Sequence, residues 1–289
     1  MKTGKLSWSL SLLASLFSAP LYAETSVWKI KQGENHLFIG GTIHVLAEAD
    51  YPLPAEFNRA YQRAERLVLE TDIQKFQSPE FQQVMMSELT YSDGRNLKSV
   101  LNAETYQALD RYCASRGIPT ASLLNFKPGM VATMLTYFEL QHLGLGGVGV
   151  DAYFGARAIK DQKKMGQLES VEAQLAFLSS LGQGQEDEMI AYILEDIKNL
   201  PALMEEIKQT WRNGDMAGLE QVAVAPFKKD FPAAYELMMV ERNNAWLPQI
   251  QAMLKTREVE LILVGAMHLA GDDGLLEQLS ARGYEVQKF

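Results

Sequence analysis

One short pattern occurs twice in this chain of 289 residues, once near each end. A glycine, two other residues and a histidine form the segments Gly41–His44 and Gly265–His268. Each follows an apolar run typical of a buried strand, Leu37–Ile39 or Leu261–Val264. In an open α/β sheet, ligands bind at the edge where the carboxyl ends of the strands meet. The pattern therefore predicts two histidines in one site at this edge; the alternative is two unrelated turn histidines.

Two further apolar runs end in carboxylates. Leu67–Leu69 precedes Glu70, and Met165–Leu168 precedes Glu169. If both runs are strands of the same sheet, two imidazoles and two carboxylates share one edge. Two histidines and one carboxylate bind divalent transition metals and leave positions open for water and substrate. The alternatives are a solvated strand end or a helix cap for Glu70, and a helix start for Glu169 and Glu172, where the helix dipole favours acidic residues.

The remaining periodicity is mostly helical. Shorter helices are predicted over 54–65, 151–163 and 272–282, and a last strand near 284–286. We therefore expect one mixed α/β domain over residues 24–289, with the site at the carboxyl edge of a central sheet and a large helical insertion at about 78–142 and 171–254. Within the second helical region, breaks are expected near Gly182, Pro201, Gly214 and Pro226.

The charge, the cysteine count and the absence of several motifs exclude or disfavour several classes of protein. The chain has 27 Lys and Arg against 36 Asp and Glu, a net charge of −9, so we expect no nucleic-acid partner. A single cysteine, Cys113, excludes an intramolecular disulfide and a cysteine-rich zinc site. The sequence has no HExxH, GxSxG or P-loop pattern, which disfavours thermolysin-type peptidases, α/β-hydrolases and P-loop NTPases.

The first 23 residues have the pattern of a secretory signal peptide. Lys2 and Lys5 precede the apolar run Leu6–Phe17, which is too short to span a bilayer, and Ala23 is a small residue at the predicted cleavage point. We therefore expect a periplasmic or secreted protein that starts at Glu24 and has no stable membrane span after cleavage. The alternative is an uncleaved N-terminal anchor.

Several short motifs, in this order and spacing, resemble the TraB/GumN family, which is related to the Tiki proteases. The resemblance covers nearly all of the chain after the predicted signal peptide. It implies an α/β core with the paired Gly-x-x-His motifs at a metal site, and a relation to the fold of erythromycin esterases and haem-binding ChaN-like proteins. Animal relatives act as metal-dependent peptidases. Besides Gly41–His44, the motifs that carry the resemblance are Leu67–Asp72, Gly149–Asp151, Leu168–Glu172, Arg242–Asn243, Val264–Leu269 and Gly271–Gly274.

These observations predict an exported metal-dependent hydrolase, and favour a peptidase acting on a peptide or another small exported substrate. His44, Glu70 and His268 would hold a divalent metal, with manganese, cobalt, zinc and iron all compatible. Glu169 would serve as general base. Arg242, which the family resemblance indicates, would stabilise an oxyanion or bind a substrate carboxylate. The alternative for Arg242 is an ordinary arginine on a helix surface. The alternative is a non-enzymatic periplasmic binding protein for haem, a peptide or a saccharide.

Overall fold

A computed structural model describes residues 26–289 of the chain. The predicted signal peptide, residues 1–23, lies outside the described residues. Within them no helix is long and apolar enough to cross a membrane. The strands of this range are β1 (Val27–Gln32), β2 (Asn35–Thr42), β3 (Val45–Leu46), β4 (Arg66–Leu69), β5 (Gly147–Val148), β6 (Lys164–Gln167), β7 (Glu260–Gly265) and β8 (Glu285–Lys288).

Six of these strands form one mixed sheet in the order β6-β4-β7-β2-β1-β8. The first four strands are parallel to one another, whereas β1 is antiparallel to both β2 and β8. The apolar run of β7, Leu261–Val264, is fully buried because helices cover both of its faces. The strands predicted at 37–39, 67–69, 165–168 and 261–264 are thereby confirmed, and their carboxyl ends lie on one edge. Strands β3 and β5 pair separately.

Helices make up most of the rest of the described chain. Two π-helical segments, Glu220–Val224 and Glu236–Val240, join α10 to α11 and α12 to α13 without interruption. The α-helices in residues 26–289 are α1 (Ala55–Arg63), α2 (Ile73–Phe76), α3 (Pro79–Glu88), α4 (Leu97–Val100), α5 (Ala103–Ser115), α6 (Pro128–His142), α7 (Val150–Lys160), α8 (Val171–Ser180), α9 (Glu186–Arg212), α10 (Met216–Leu219), α11 (Ala225–Asp230), α12 (Pro232–Tyr235), α13 (Glu241–Met253) and α14 (Leu275–Ala281).

Two of the four predicted helix breaks are wrong. The chain does end helices near Gly182 and Gly214, whose φ angles of 72° and 58° favour glycine. Pro201, however, lies inside α9, because the buried residues before and after it pack into the core and outweigh one lost backbone hydrogen bond. Pro226 lies in the first turn of α11, where the missing N–H is tolerated even though a π-helical turn precedes it.

The two faces of the sheet carry separate apolar cores. Leu261 and Leu263 of β7 face one core, which contains aromatic residues of α1, α7 and α9. The alternate residues Ile262 and Val264 face the other, which contains Trp246 and Ile250 of α13 together with α14. A further core lies among α5, α6 and α9, within the predicted helical insertion. Packing of α13 on the sheet brings its first turn to the carboxyl edge of the parallel strands.

Candidate active site at the sheet edge

The five residues that the sequence predicts for the site lie together in the structure. Four of them follow a parallel strand of the central sheet within three residues of its end. The fifth lies in the first turn of α13. A common edge of the sheet therefore brings together residues that are far apart in the chain. The cluster consists of His44, Glu70, Glu169, Arg242 and His268.

The guanidinium of Arg242 lies at the centre of this cluster. Its Nη2 donates to Glu70 Oε2 at 2.6 Å and to Glu169 Oε1 at 2.7 Å, and its Nε donates to Glu169 Oε2 at 3.0 Å. Its Cζ also lies 4.6 Å from the ring centroid of Trp246. Burial works against the charge, but the two carboxylates outweigh it and raise the pKa of Arg242. The side chain is therefore a fixed cation that holds the carboxylates of two adjacent strands.

His268 is buried and neutral. Its side chain makes a 2.8 Å hydrogen bond between Nδ1 and Asn243 Oδ1, and its Nε2 lies 3.1 Å from Nη1 of Arg242. Because arginine can only donate, Nε2 accepts and the ring proton lies on Nδ1. Burial lowers the pKa of His268 to about 3, and the nearby charge of Arg242 acts in the same direction against the partial compensation of Glu70.

His44 has the opposite environment. Its side chain is 61% exposed, and its Nδ1 lies 3.1 Å from Oδ1 of Asp151 in the first turn of α7. Loss of solvent around the ring lowers the pKa, but the hydrogen bond and charge of Asp151 and the charge of Glu70 outweigh it and raise the pKa of His44 to about 9. His44 is therefore a cation at neutral pH unless a ligand takes its Nε2.

Glu70 connects these groups. The backbone N–H of Gly265 donates to its Oε1 at 2.6 Å, and Arg242 donates to its Oε2. Burial raises the pKa of Glu70, but the charges of Arg242 and His44 and the backbone N–H outweigh it and hold the pKa below its ordinary value. The carboxylate is thus ionised and oriented by two donors.

Three of the predicted ligand residues surround one point. The position that a Cβ would take on Gly265 lies 3.4 Å from Glu70 Oε1, 3.4 Å from His44 Nε2 and 3.6 Å from His268 Cδ2. Each imidazole has its Nδ1 on a side-chain oxygen, as histidines that bind metal through Nε2 do. Two imidazole nitrogens and one carboxylate oxygen are donor types that suit a divalent transition metal.

The arrangement of the same atoms does not fit a metal while Arg242 stays in place. Its guanidinium uses His268 Nε2 and Glu70 Oε2, two of the atoms that would coordinate an ion. Within residues 26–289, no group of three or more His, Cys, Asp or Glu side chains is positioned to hold a metal ion. A metal at this site therefore requires that Arg242 withdraw from His268.

Asp151 and Asn243 contact the two histidines of the cluster, and the sequence did not predict either contact. Each orients one imidazole, but the sequence indicated them only as members of family motifs, without linking either to a histidine. The link is made by folding, since Asp151 is 107 residues from His44. Glu172, the other acidic residue at the predicted helix start, lies away from the cluster in an exposed ion pair with Lys75.

A cavity of about 680 Å³ opens beside the cluster. Its polar end includes His44, Glu70, Asp151 and Arg242. The rest of its wall is largely apolar and comes from α2, α3, α6, α8 and the π-helical segment before α13. Pockets of this volume, with an apolar wall and a few polar groups at one end, are typical of small-molecule and substrate sites. Six of the apolar lining residues are Ile73, Phe76, Met85, Tyr137, Leu178 and Met238.

Fold and site together define a mixed α/β protein with a charged cluster and a cavity at the edge of its parallel strands. The chain matches the TraB/PrgY/gumN family over residues 26–288 and belongs to that family, which confirms the resemblance found in the sequence. Proteins of Escherichia coli strain K12 and Shigella flexneri, both called "Uncharacterized protein YbaP", are 26% identical to it over 252 residues. The match covers 86% of this chain and 89% of each relative. No solved structure matches the chain.

Proposed function

We propose that the protein is an exported metal-dependent hydrolase that cleaves peptides at this sheet edge. One observation carries the proposal: two imidazoles, each oriented by a side-chain oxygen, lie with Glu70 around the space that Gly265 leaves free. Neither charge balance nor packing requires two imidazoles that are oriented in this way. The resemblance to metal-dependent peptidases of the same family supports the choice of substrate.

In this proposal His44, Glu70 and His268 hold the metal. A bound divalent metal would supply a water molecule of lowered pKa. Arg242 has two roles, because its contacts with His268 and Glu169 break together when its side chain moves. Its withdrawal frees Nε2 of His268 and also frees Glu169, which would take a proton from the attacking water and pass it to the leaving amine. The displaced guanidinium would then bind the oxyanion or a substrate carboxylate.

Metal analysis of protein purified without a histidine tag tests this proposal. We expect about one manganese, cobalt, zinc or iron ion per chain at neutral pH, and loss of that ion in His44→Ala and His268→Ala. The variants His36→Ala and His142→Ala are matched controls, since neither histidine belongs to the cluster, and they should keep the metal. Substoichiometric metal in the wild type, or metal that survives His44→Ala, would count against the proposed ligands.

Export is part of the proposal and has its own test. Cleavage after Ala23 predicts a chain that starts at Glu24 in the periplasmic or secreted fraction. Intact mass spectrometry of that fraction measures the start directly. Recovery of only the full-length chain with the membranes would instead support an N-terminal anchor.

A second candidate is a non-enzymatic binding protein, and the apolar cavity beside an exposed imidazole favours it. Haem is the ligand to test first, because His44 at the polar end could reach its iron and the proposed relation to ChaN-like proteins and erythromycin esterases includes haem binders. Purified protein mixed with haem should then show a shifted Soret band that His44→Ala abolishes. An unchanged spectrum would remove haem and leave colourless ligands such as a peptide or saccharide.

A further inference from the structure

Two buried hydroxyls next to the cluster have no hydrogen-bond partner within the described chain. Thr42 Oγ1 and Thr71 Oγ1 are two of four such buried side-chain atoms in residues 26–289, and both residues line the cavity. Thr42 ends β2, two residues before His44, and is 3% exposed, while Thr71 directly follows Glu70. A buried polar group without a partner costs about 1–3 kcal/mol. A hydrogen-bonding group that reached both positions from the cavity would relieve this cost.

Another part of the cavity wall exposes large apolar side chains. Phe76 on α2 is 38% exposed and Tyr137 on α6 is 43% exposed, and both line the cavity with Met85 and Leu178. Exposed apolar groups that gather in a concave surface mark a ligand site rather than scattered surface residues. This wall can therefore take an apolar group of the size of a leucine or phenylalanine side chain.

The charges at the polar end favour a neutral ligand group. Three carboxylates of the cluster and its surroundings, Glu70, Asp151 and Glu169, accompany two cations. Arg242 is already paired with Glu70 and Glu169, and His44 is already paired with Asp151. A free carboxylate of a fatty acid would therefore meet Asp151 and Glu70, while both nearby cations are already engaged by carboxylates. A threonine hydroxyl can both donate and accept, which suits the N–H and C=O of a peptide group.

We propose that the cavity binds a peptide through a bulky apolar side chain, leucine, methionine or phenylalanine, placed between α2 and α6. The hydroxyls of Thr42 and Thr71 hydrogen-bond the peptide backbone and so set its position relative to the cluster. Both threonines are positioning residues. This inference rests on the proposed peptidase function and adds to it the class of side chain that is recognised.

The peptide class is tested by binding in the absence of turnover. Protein treated with a chelator is titrated calorimetrically with acetyl-Gly-Gly-X-Gly-Gly-amide, where X is leucine, phenylalanine or glycine. We expect the leucine and phenylalanine peptides to bind at least about tenfold more tightly than the glycine peptide, because each buries a large apolar side chain. Equal affinities, or tighter binding of laurate or haem than of the leucine peptide, would overturn the inference.

The apolar wall is tested by Phe76→Ala and Tyr137→Ala. Both residues are partly exposed, so truncation should leave the fold intact. It should lower the affinity for the leucine peptide about tenfold. Tyr192→Ala is the matched control, because Tyr192 is similarly exposed but lies outside the cavity lining, and it should bind normally. Normal binding by both cavity variants would exclude this wall as the contact surface.

The hydroxyls are tested by the isosteric variants Thr42→Val and Thr71→Val. If each hydroxyl gains its hydrogen-bond partner only from a ligand, its removal leaves the free protein equally or more stable to heat. The same removal weakens peptide binding about tenfold. Thr136→Val is the control, since its hydroxyl donates to Ala132 O within α6 and its side chain lies outside the cavity lining. A loss of thermal stability in both cavity variants with unchanged binding would show that the hydroxyls serve the fold, and would overturn their role.

The outcomes also separate this inference from the proposed function. Selective binding of leucine peptides without cleavage under any metal would keep the peptide site and remove the hydrolase. Cleavage with no preference among the three peptides would keep the hydrolase and remove the apolar side-chain pocket.

Discussion

His44 and His268 come from the same sequence pattern, yet the fold gives them opposite properties. His44 lies in an open loop after β2 beside a carboxylate, and its pKa is raised to about 9. His268 lies in a buried 3₁₀ turn after β7 beside an amide and a guanidinium, and its pKa is lowered to about 3. The shared spacing brings both rings to one place. Burial keeps His268 neutral, whereas the carboxylate of Asp151 favours the charged form of His44.

The glycines that begin the two patterns, Gly41 and Gly265, also have different surroundings. A Cβ on Gly41 would lie 3.1 Å from the backbone Cα of Ala266 and 3.1 Å from Leu269 Cδ1, so this glycine permits close packing between the two segments. The three atoms nearest to a Cβ on Gly265 are side-chain atoms of the cluster, at 3.4 Å or more. One glycine therefore serves the fold, and the other keeps space open between functional groups.

The largest effect should come from exchanging these glycines for alanine. We expect Gly265→Ala to reduce metal binding and hydrolysis at least about 100-fold, because the methyl group fills the point that the three side chains surround. Its contacts are of ordinary length and its φ of −50° suits alanine, so the free energy of unfolding should change by less than about 1 kcal/mol.

Gly41→Ala should behave in the reverse way. Because its methyl group would press on backbone, we expect a loss of about 1–3 kcal/mol in the free energy of unfolding. Urea denaturation and metal titration of both variants measure the two effects. If Gly265→Ala lowered stability more than Gly41→Ala, the division between these glycines would be wrong.

A second, smaller effect concerns the two residues that orient the rings. Asn243→Ala leaves the Nδ1 proton of buried His268 without an acceptor and should cost about 1–3 kcal/mol of unfolding free energy. Asp151→Asn acts on an exposed pair and should cost less than about 1 kcal/mol. Urea denaturation at neutral pH compares them, and equal losses would contradict the contrast between buried and exposed partners.

The smallest effect is a difference in pH dependence. The pKa of His44 is raised, so its contribution to stability is full below its ordinary pKa of about 6.5 and is lost as pH rises through about 9. The pKa of His268 is lowered, so its contribution is present above about 6.5 and declines as pH falls toward about 3. NMR titration of the ring protons follows both groups. Asp151→Asn should lower the pKa of His44 and leave that of His268 in place, and an unshifted His44 would show that Asp151 does not set its charge.

The strands and their end residues could be predicted from the sequence because both depend on local pattern. Buried parallel strands are apolar on both faces, so runs such as Leu67–Leu69 and Leu261–Val264 are recognisable without knowledge of their neighbours. The residues that follow them, including Glu70, then share an edge by topology alone. The helix break predicted near Pro201 is wrong because the place of this residue inside α9 depends on tertiary packing, which a local pattern does not contain.

The position of Arg242 could not be predicted from spacing. It lies on α13, and only the packing of Trp246 and Ile250 against the sheet brings its guanidinium to the cluster. The sequence therefore indicated Arg242 through a resemblance, and gave no sign that its guanidinium would occupy Nε2 of His268. The contact between Asp151 and His44 could not be predicted for the same reason, since it depends on where α7 begins.

The place of β7 in the sheet has a consequence for the order of events during biosynthesis. This strand is the next to last in the described chain, yet it lies between β2 and β4 and pairs with both. Until residues 260–265 have been synthesised, the segments that carry His44 and Glu70 have no strand between them to fix their distance. Closing such a long-range contact is a late and slow step for a folding chain. A nascent or truncated chain that stops before β7 would therefore lack the assembled cluster.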